Sequence, residues 1–219
     1  MGSVVVTNER MVDLLGRHVL WSDERIERTK EWPGHGGVAV TTNQRYFVLE
    51  LDTRLLIGQA PGVDGVVLVT RVDLEVEGLP ETFGLLALSG GGSVYLNDPA
   101  AVAELGRRLA GGLDPLAFAQ ILVEWHPWTS AVRYVLAGRD QLARSSGRSD
   151  LPVFEPPTIK PVGDGVVLSF FSAYQYATAL GGARQLDVFE WTVTVPDGEP
   201  ARWDRRPVLE SVPLETMPR

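Results

Sequence analysis

One stretch, from Leu113 to Leu136, limits the fold of this chain more than any other. Its first half is predicted to be a helix, because Asp114 and Pro115 form a typical N-cap and first-turn pair. The helix is apolar on nearly every side and should end near Trp125, because His126 precedes a proline. A helix without a polar face is normally buried, so the rest of the chain is expected to pack around it.

Two blocks of predicted β structure flank this helix. The first covers about residues 38–96 and the second about residues 166–209, with a helical block at about 98–144 between them. Strands followed by helices and then by strands predict an α+β fold with an antiparallel or mixed sheet, rather than alternating βαβ units. We expect a single domain over residues 1–219, with a Pro- and Ser-rich loop at 145–164.

Two short helices are predicted before the first β block. Residues Asn8 to Leu15 fit a short helix, and Ser22 starts a second predicted helix that runs to Lys30, with acidic residues first and basic residues last. The strands expected after it are Val38–Val40, Tyr46–Leu51, Gly65–Val76, Phe83–Leu88 and Ser93–Leu96.

In the Gly65–Val76 strand, alternate residues point to opposite faces of the sheet. One set is almost wholly apolar and is predicted to face the core: Val66, Leu68, Thr70, Val72, Leu74 and Val76. The other set, which contains Arg71 and Asp73, is predicted to face solvent.

The helical block is expected to hold two further helices besides the apolar one. Asp98 and Pro99 begin the first, which Gly111 and Gly112 end. The last runs from Thr129 or Ser130 to Arg144, with a strand over Val132–Leu136 as the alternative.

The second β block is predicted to be a three-stranded antiparallel meander. Its strands are Val166–Ala177, Leu186–Val195 and Ala201–Leu209, and Pro196-Asp197-Gly198 is a strong turn between the last two.

Composition and charge exclude several classes of function. The net charge is −8, which disfavours nucleic-acid binding through phosphates, and the chain has no cysteine for disulfides or thiolate chemistry. The N-terminus lacks the pattern of a signal peptide, and no apolar run is long enough to cross a membrane, so we expect a cytoplasmic protein.

Charge is also distributed unevenly along the chain. The segment from Tyr46 to Glu104 contains nine carboxylates and two arginines. The segment from Arg133 to Arg148 contains four arginines and one carboxylate, Asp140. Such a split usually marks a solvated surface, and a docking face for a charged partner is the alternative.

Motifs that carry chemistry are absent from the sequence. The three histidines, His18, His35 and His126, have no metal-ligand spacing, and no G-x-S-x-G element occurs, so no metal and no cofactor are expected. His18 and His35 are most simply surface and loop residues. The Gly90-Gly91-Gly92 run is followed by a strand rather than a helix, which favours a hairpin turn over a phosphate-binding loop.

The candidate catalytic residues are Glu124 and His126, at the end of the apolar helix. In apolar surroundings Glu124 can act as an acid or base beside His126, while Arg133 holds an anionic substrate. The favoured alternative is structural: Glu124 and Arg133 form an ion pair, and His126 caps the helix.

Aromatic residues supply further candidates for ligand binding. Trp128 and Tyr134 lie beside Arg133, and Tyr174 and Tyr176 share one face of a predicted strand. The alternative for the two strand tyrosines is packing in the sheet core.

Together these features favour a binding or protein-interaction protein without catalytic activity and with an acidic surface. A small enzyme that uses acid-base chemistry on an anionic small molecule is the alternative. The expected partners are a basic protein or an anionic small molecule, with neither nucleic acid nor membrane.

Overall fold

The computed structural model describes residues 6–31, 37–54, 60–75, 81–98, 112, 114–124, 132–177, 184–197, 199 and 201–214. The side chains of residues 53, 54, 123, 124, 132, 133 and 177 are outside this description. The chain forms two compact units, each with its own antiparallel sheet. The first comprises Met1–Leu56, Pro61–Val102 and Glu124–Pro127, and the second comprises Ile57–Ala60, Ala103–Val123 and Trp128–Arg219. The single domain over residues 1–219 stays a prediction.

The first unit contains a six-stranded meander in which each strand pairs with the next along the chain. The strands are β1 (Ile26–Glu31), β2 (Gly37–Thr42), β3 (Phe47–Arg54), β4 (Val63–Asp73), β5 (Glu81–Leu88) and β6 (Ser93–Tyr95). The predicted hairpins β2–β3 and β5–β6 are confirmed.

Helix α1 (Asn8–His18) contributes an apolar face to the core of this unit. The Thr7 side chain caps its first turn by accepting a hydrogen bond from the Arg10 backbone N–H at 3.3 Å. Met11, Leu14 and Leu15 are buried in one cluster with residues of β2 to β5. The short helix predicted from this spacing is therefore confirmed.

The helix predicted from Ser22 to Lys30 is wrong. Residues 26–31 form β1, which pairs with β2 at the edge of the sheet and is exposed over most of its length. The order of charges fits a helix, but the segment has no apolar face at helical spacing, so strand pairing determines its structure.

The orientation predicted for β4 is wrong for most of the strand. Val66 is buried as predicted, but Val67, Val69 and Arg71 of the other set are buried too, whereas Leu68 and Val72 are only partly buried and Leu74 is exposed. Alternation separates the two faces of a strand without saying which of them the neighbouring elements cover. A buried arginine is tolerated here because the fold supplies Glu24 as its partner.

The second unit contains a five-stranded sheet. Its strands are β7 (Val132–Val135), β8 (Thr158–Val162), β9 (Gly165–Ala177), β10 (Arg184–Val195) and β11 (Arg202–Pro213). They are ordered β11-β10-β9-β7, and β8 also pairs with β9. The predicted antiparallel meander of β9, β10 and β11 is confirmed.

The predicted helical block is not confirmed, because the described structure is mostly β and fits an α+β fold only loosely. Helix α2 (Pro115–Glu124) begins where predicted, and the Asp114 carboxylate accepts a hydrogen bond from the Leu116 backbone N–H at 2.8 Å. Its buried residues include Phe118, Ile121 and Leu122. The helix predicted after Asp98 lies outside the described residues.

Two further segments of the central region differ from the prediction. The predicted helix over residues 130–144 is wrong in its first half, where the alternative strand forms as β7, and only the short helix α3 (Gln141–Ser146) follows. The predicted loop at 145–164 is interrupted by β8, which gains backbone hydrogen bonds from β9. Among the described residues, no helix is long and apolar enough to span a membrane.

Candidate functional site

A surface cleft lies around the short helix α3 of the second unit. It consists of two adjoining hollows, of about 610 and 510 Å³, which share Gly147 and Ser149. Both hollows are open to solvent over much of their extent. We call the two hollows together the arginine cleft, after its lining residues Arg139, Arg144 and Arg148; Ser149, Leu151 and Val153 also line it.

The local sequence of α3 explains how the cleft is built. Leu142 is buried in the hydrophobic cluster of the second sheet, so the helix is anchored on one side, and Arg144 is exposed. The helix ends at Gly147, which has a φ of 72° and supplies the left-handed conformation that lets the chain turn back. Arg148 and Ser149 therefore follow the helix directly and line the cleft.

The three arginines of the cleft differ in how their charge is used. Arg139 forms an exposed ion pair with Glu155 at 3.0 Å. Arg148 pairs with Asp150 and also donates a hydrogen bond to the Pro213 carbonyl at 2.9 Å. The guanidinium of Arg144 has no hydrogen-bond or ion-pair partner among the described residues.

Two carboxylates line the cleft, Asp140 and Asp150, and Asp150 forms an ion pair with Arg148. The hydrogen bond from Arg148 lowers the pKa of Asp150, so the carboxylate stays ionised at neutral pH. The Arg148–Asp150 pair therefore adds little net charge to the cleft. The other charges that line it are Arg139, which pairs with Glu155, and Arg144 and Asp140, between which no ion pair is formed in the described part of the chain.

Of the predicted binding residues, Tyr134 lies next to the cleft. Its hydroxyl shares a hydrogen bond with the Ser145 hydroxyl on α3 and accepts one from Gln175 Nε2 at 3.1 Å. Arg184 in turn donates to the Gln175 side-chain oxygen at 2.5 Å. This chain of contacts ties α3 to the sheet, so Tyr134 supports the cleft rather than lining it.

The predicted binding residues Tyr174 and Tyr176 lie on the opposite face of the sheet. Tyr134 is in register with Ala173, next to Tyr174 along β9, and successive residues of a strand point to opposite faces. The two strand tyrosines contact each other, with ring centroids 5.2 Å apart, and the Tyr176 hydroxyl donates to Asp187 at 3.3 Å. Both are half-buried. The structure thus separates them from Tyr134.

The remaining candidates fall outside the description. Glu124 is the last residue of α2, and Arg133 is in register with Tyr174, but neither side chain is described. His126 and Trp128 lie outside the described residues. The acid-base pair and its structural alternative therefore both stay predictions.

The sequence contains a signal for the arginine cleft. The four arginines between Arg133 and Arg148 predict a solvated surface or a docking face. The sequence did not indicate that Leu151 and Val153, together with the end of β11, complete a hollow around three of them. Only Pro213 and Leu214, which line the hollow beside Arg148, come from a distant part of the chain.

No group of three histidine or carboxylate side chains among the described residues is arranged to hold a metal ion. No protein-family model, curated protein sequence or solved structure matches this chain. Functional inference therefore depends on the residues themselves.

Proposed function

We propose that this protein is a binding protein that holds an anionic small molecule in the arginine cleft, without catalytic activity there. The observation that carries the proposal is the exposed Arg144 guanidinium, which has no partner among the described residues and lines a hollow of about 510 Å³. A planar guanidinium is well suited to bidentate recognition of a carboxylate or phosphate.

The other lining residues define the kind of anion. Leu151, Pro152 and Val153 form an apolar wall in the same hollow, and Val153 is 56% exposed. The Ser149 hydroxyl can donate a further hydrogen bond to an anionic head group. These groups favour a ligand with a charged head and an apolar body.

Binding without turnover fits the chemistry of the cleft better than catalysis. Its described titratable side chains are arginines and the carboxylates Asp140 and Asp150, and Asp150 already pairs with Arg148. An enzyme based on Glu124 and His126 remains the alternative proposal. A basic protein partner for the acidic first half of the chain also remains a proposal.

Titration calorimetry with hexyl phosphate tests the proposal, with hexanol as the neutral comparison. We expect hexyl phosphate to bind and hexanol not to bind. Arg144→Glu should weaken binding by about tenfold or more, because a hydrogen bond to a charged group contributes about 1.5–3 kcal/mol.

Arg202→Glu is the matched control. Arg202 is an exposed arginine of the same unit that lies outside the cleft, so this variant should bind as the wild type does. Equal binding by hexanol, or unchanged affinity in Arg144→Glu, would contradict the proposal.

A further inference from the structure

A second group of reactive side chains lies in the first unit, where the end of α1 meets the start of β6. The His18 Nε2 atom lies 2.8 Å from the Ser93 hydroxyl oxygen and shares a hydrogen bond with it. A serine and an imidazole at this distance have the geometry of a nucleophile and its general base. The two residues are 75 positions apart in sequence.

The position of Ser93 is determined by the preceding glycine turn. Gly90 and Gly91 have φ values of 83° and 96°, which side-chain-bearing residues rarely adopt. The turn closes through a hydrogen bond from the Leu88 backbone N–H to the Gly92 carbonyl at 2.8 Å. Ser93 is therefore the first residue after a constrained turn, and it is only partly buried.

The imidazole of His18 is held in place from a second side. The Tyr95 ring lies parallel to it, at 8° and with centroids 5.9 Å apart, on the same strand as Ser93. Tyr95 and Ser93 are two residues apart, so their side chains are on the same face of β6. A base with a fixed orientation loses little entropy when it takes a proton.

Charged groups on α1 surround the pair. Arg10 donates hydrogen bonds to the Gly92 carbonyl at 2.5 Å and to Asp13 at 2.6 Å, and Arg17 donates to Asp13 at 3.0 Å. Burial lowers the pKa of His18, the positive charges of Arg17 and Arg10 lower it further, and Asp13 opposes them. The imidazole is consequently neutral at pH 7, the form that accepts a proton.

We propose that Ser93 and His18 form a nucleophile–base pair that reacts with carboxylic esters. The Ser93 hydroxyl oxygen attacks the ester carbonyl carbon while His18 Nε2 takes the hydroxyl proton. The bond from that carbon to the alcohol oxygen breaks, and the alcohol leaves with the proton from His18. Water then attacks the acyl carbon while His18 takes one of its protons. The bond from that carbon to the Ser93 oxygen breaks, the acid is released, and His18 returns the proton to the Ser93 oxygen.

This site is independent of the arginine cleft, which lies in the other unit. Failure of hexyl phosphate to bind would leave the serine proposal standing, and failure of the serine to react would leave the cleft proposal standing.

A fluorophosphonate probe tests the proposal directly. The Ser93 oxygen bonds to phosphorus, fluoride leaves and His18 takes the proton, so the label is detected by intact mass and located by peptide mapping. We expect one label, on Ser93, in the full-length native protein. His18→Gln should slow labelling by about 100-fold, because general-base assistance typically contributes that much or more.

Ser89→Ala is the matched control, since Ser89 lies in the same turn but hydrogen-bonds to Asp64 at 2.6 Å. This variant should be labelled at the wild-type rate. A second test uses the wild-type protein alone and measures its labelling rate as a function of pH. The rate should rise with pH around a midpoint below 6.5, the ordinary pKa of histidine. Absence of label on native protein, label only on other residues, or an unchanged rate in His18→Gln would overturn the proposal.

Discussion

Arg71 in the first unit and Arg144 in the second have the same side chain in opposite surroundings. Arg71 is 3% exposed and donates to Glu24 at 2.9 and 3.2 Å and to the Val19 carbonyl at 3.0 Å. Arg144 is exposed and has no such partner among the described residues. The comparison teaches that the same side chain is enclosed or left exposed according to how many of its donors the surrounding elements use.

The closed arrangement around Arg71 is completed by neighbouring groups. Glu24 also accepts hydrogen bonds from the Thr42 hydroxyl at 2.7 Å and from the Trp21 backbone N–H at 3.1 Å. The Trp21 ring covers the guanidinium at 4.2 Å, a cation–π contact. The Nε atom of Arg71 is buried without a partner among the described residues. This network connects the segment after α1 to β2 and β4.

The largest expected effect is the loss of Arg71. Arg71→Ala leaves the Glu24 carboxylate buried without its partner, which should lower the free energy of unfolding by about 3–5 kcal/mol in urea denaturation. Arg17→Ala removes an exposed ion pair with Asp13 and should cost at most about 1 kcal/mol. If Arg71→Ala lowered the free energy of unfolding as little as Arg17→Ala does, the buried ion pair of Arg71 would be no more important for stability than an exposed one.

A smaller loss of stability is expected when the pH is lowered and Glu24 takes up a proton. Burial alone would raise the pKa of Glu24, but hydrogen bonds from Arg71, Thr42 and the Trp21 backbone lower it below its ordinary value. A carboxylate with a lowered pKa stabilises the fold above its unfolded pKa, and that stability is lost as pH falls through the folded pKa.

Unfolding measured at a series of pH values from about 6 down to about 3 checks this expectation. Glu24→Gln should lose less stability over this range than the wild type. Asp150→Asn should differ from the wild type less than Glu24→Gln does, because solvent screens the exposed Arg148–Asp150 pair. If Asp150→Asn reduced the pH dependence of stability more than Glu24→Gln does, the exposed Arg148–Asp150 pair would contribute more to stability than the buried Arg71–Glu24 pair, which contradicts the comparison.

The smallest expected effect on stability belongs to Arg144. Arg144→Ala should change the free energy of unfolding by no more than about 0.5 kcal/mol, as is usual for a surface substitution without lost contacts. Urea denaturation of Arg144→Ala and Arg71→Ala under the same conditions measures the smallest and the largest expected change in the free energy of unfolding. A destabilisation above about 1 kcal/mol would indicate that Arg144 holds the fold together.

Prediction from sequence worked best for elements whose signals are local. The paired strands around Asn43, the turn at Gly90 to Gly92 and the start of α2 at Asp114 all depend on residues a few positions apart. It failed for β1, where charges typical of helix ends gave the wrong element, and for β7, whose pairing with β9 joins segments about forty residues apart.

The candidate sites were harder to predict than the strands. The arginines near α3 were visible as a run of like charge, but the hydrogen bond from Arg148 to the Pro213 carbonyl spans 65 positions. His18 and Ser93 were interpreted separately, as a surface residue and part of a hairpin. Nothing in either local sequence indicates that the two side chains meet.

The sequence by itself determined where this chain turns, caps its helices and alternates apolar with polar residues, because these preferences arise from backbone geometry and hydrogen bonds over a few positions. Only the tertiary structure decided which face of β4 is buried, which arginine is enclosed and which serine lies beside a histidine. Burial and pairing depend on segments that are distant in sequence, since a side chain is desolvated or satisfied only by what packs against it.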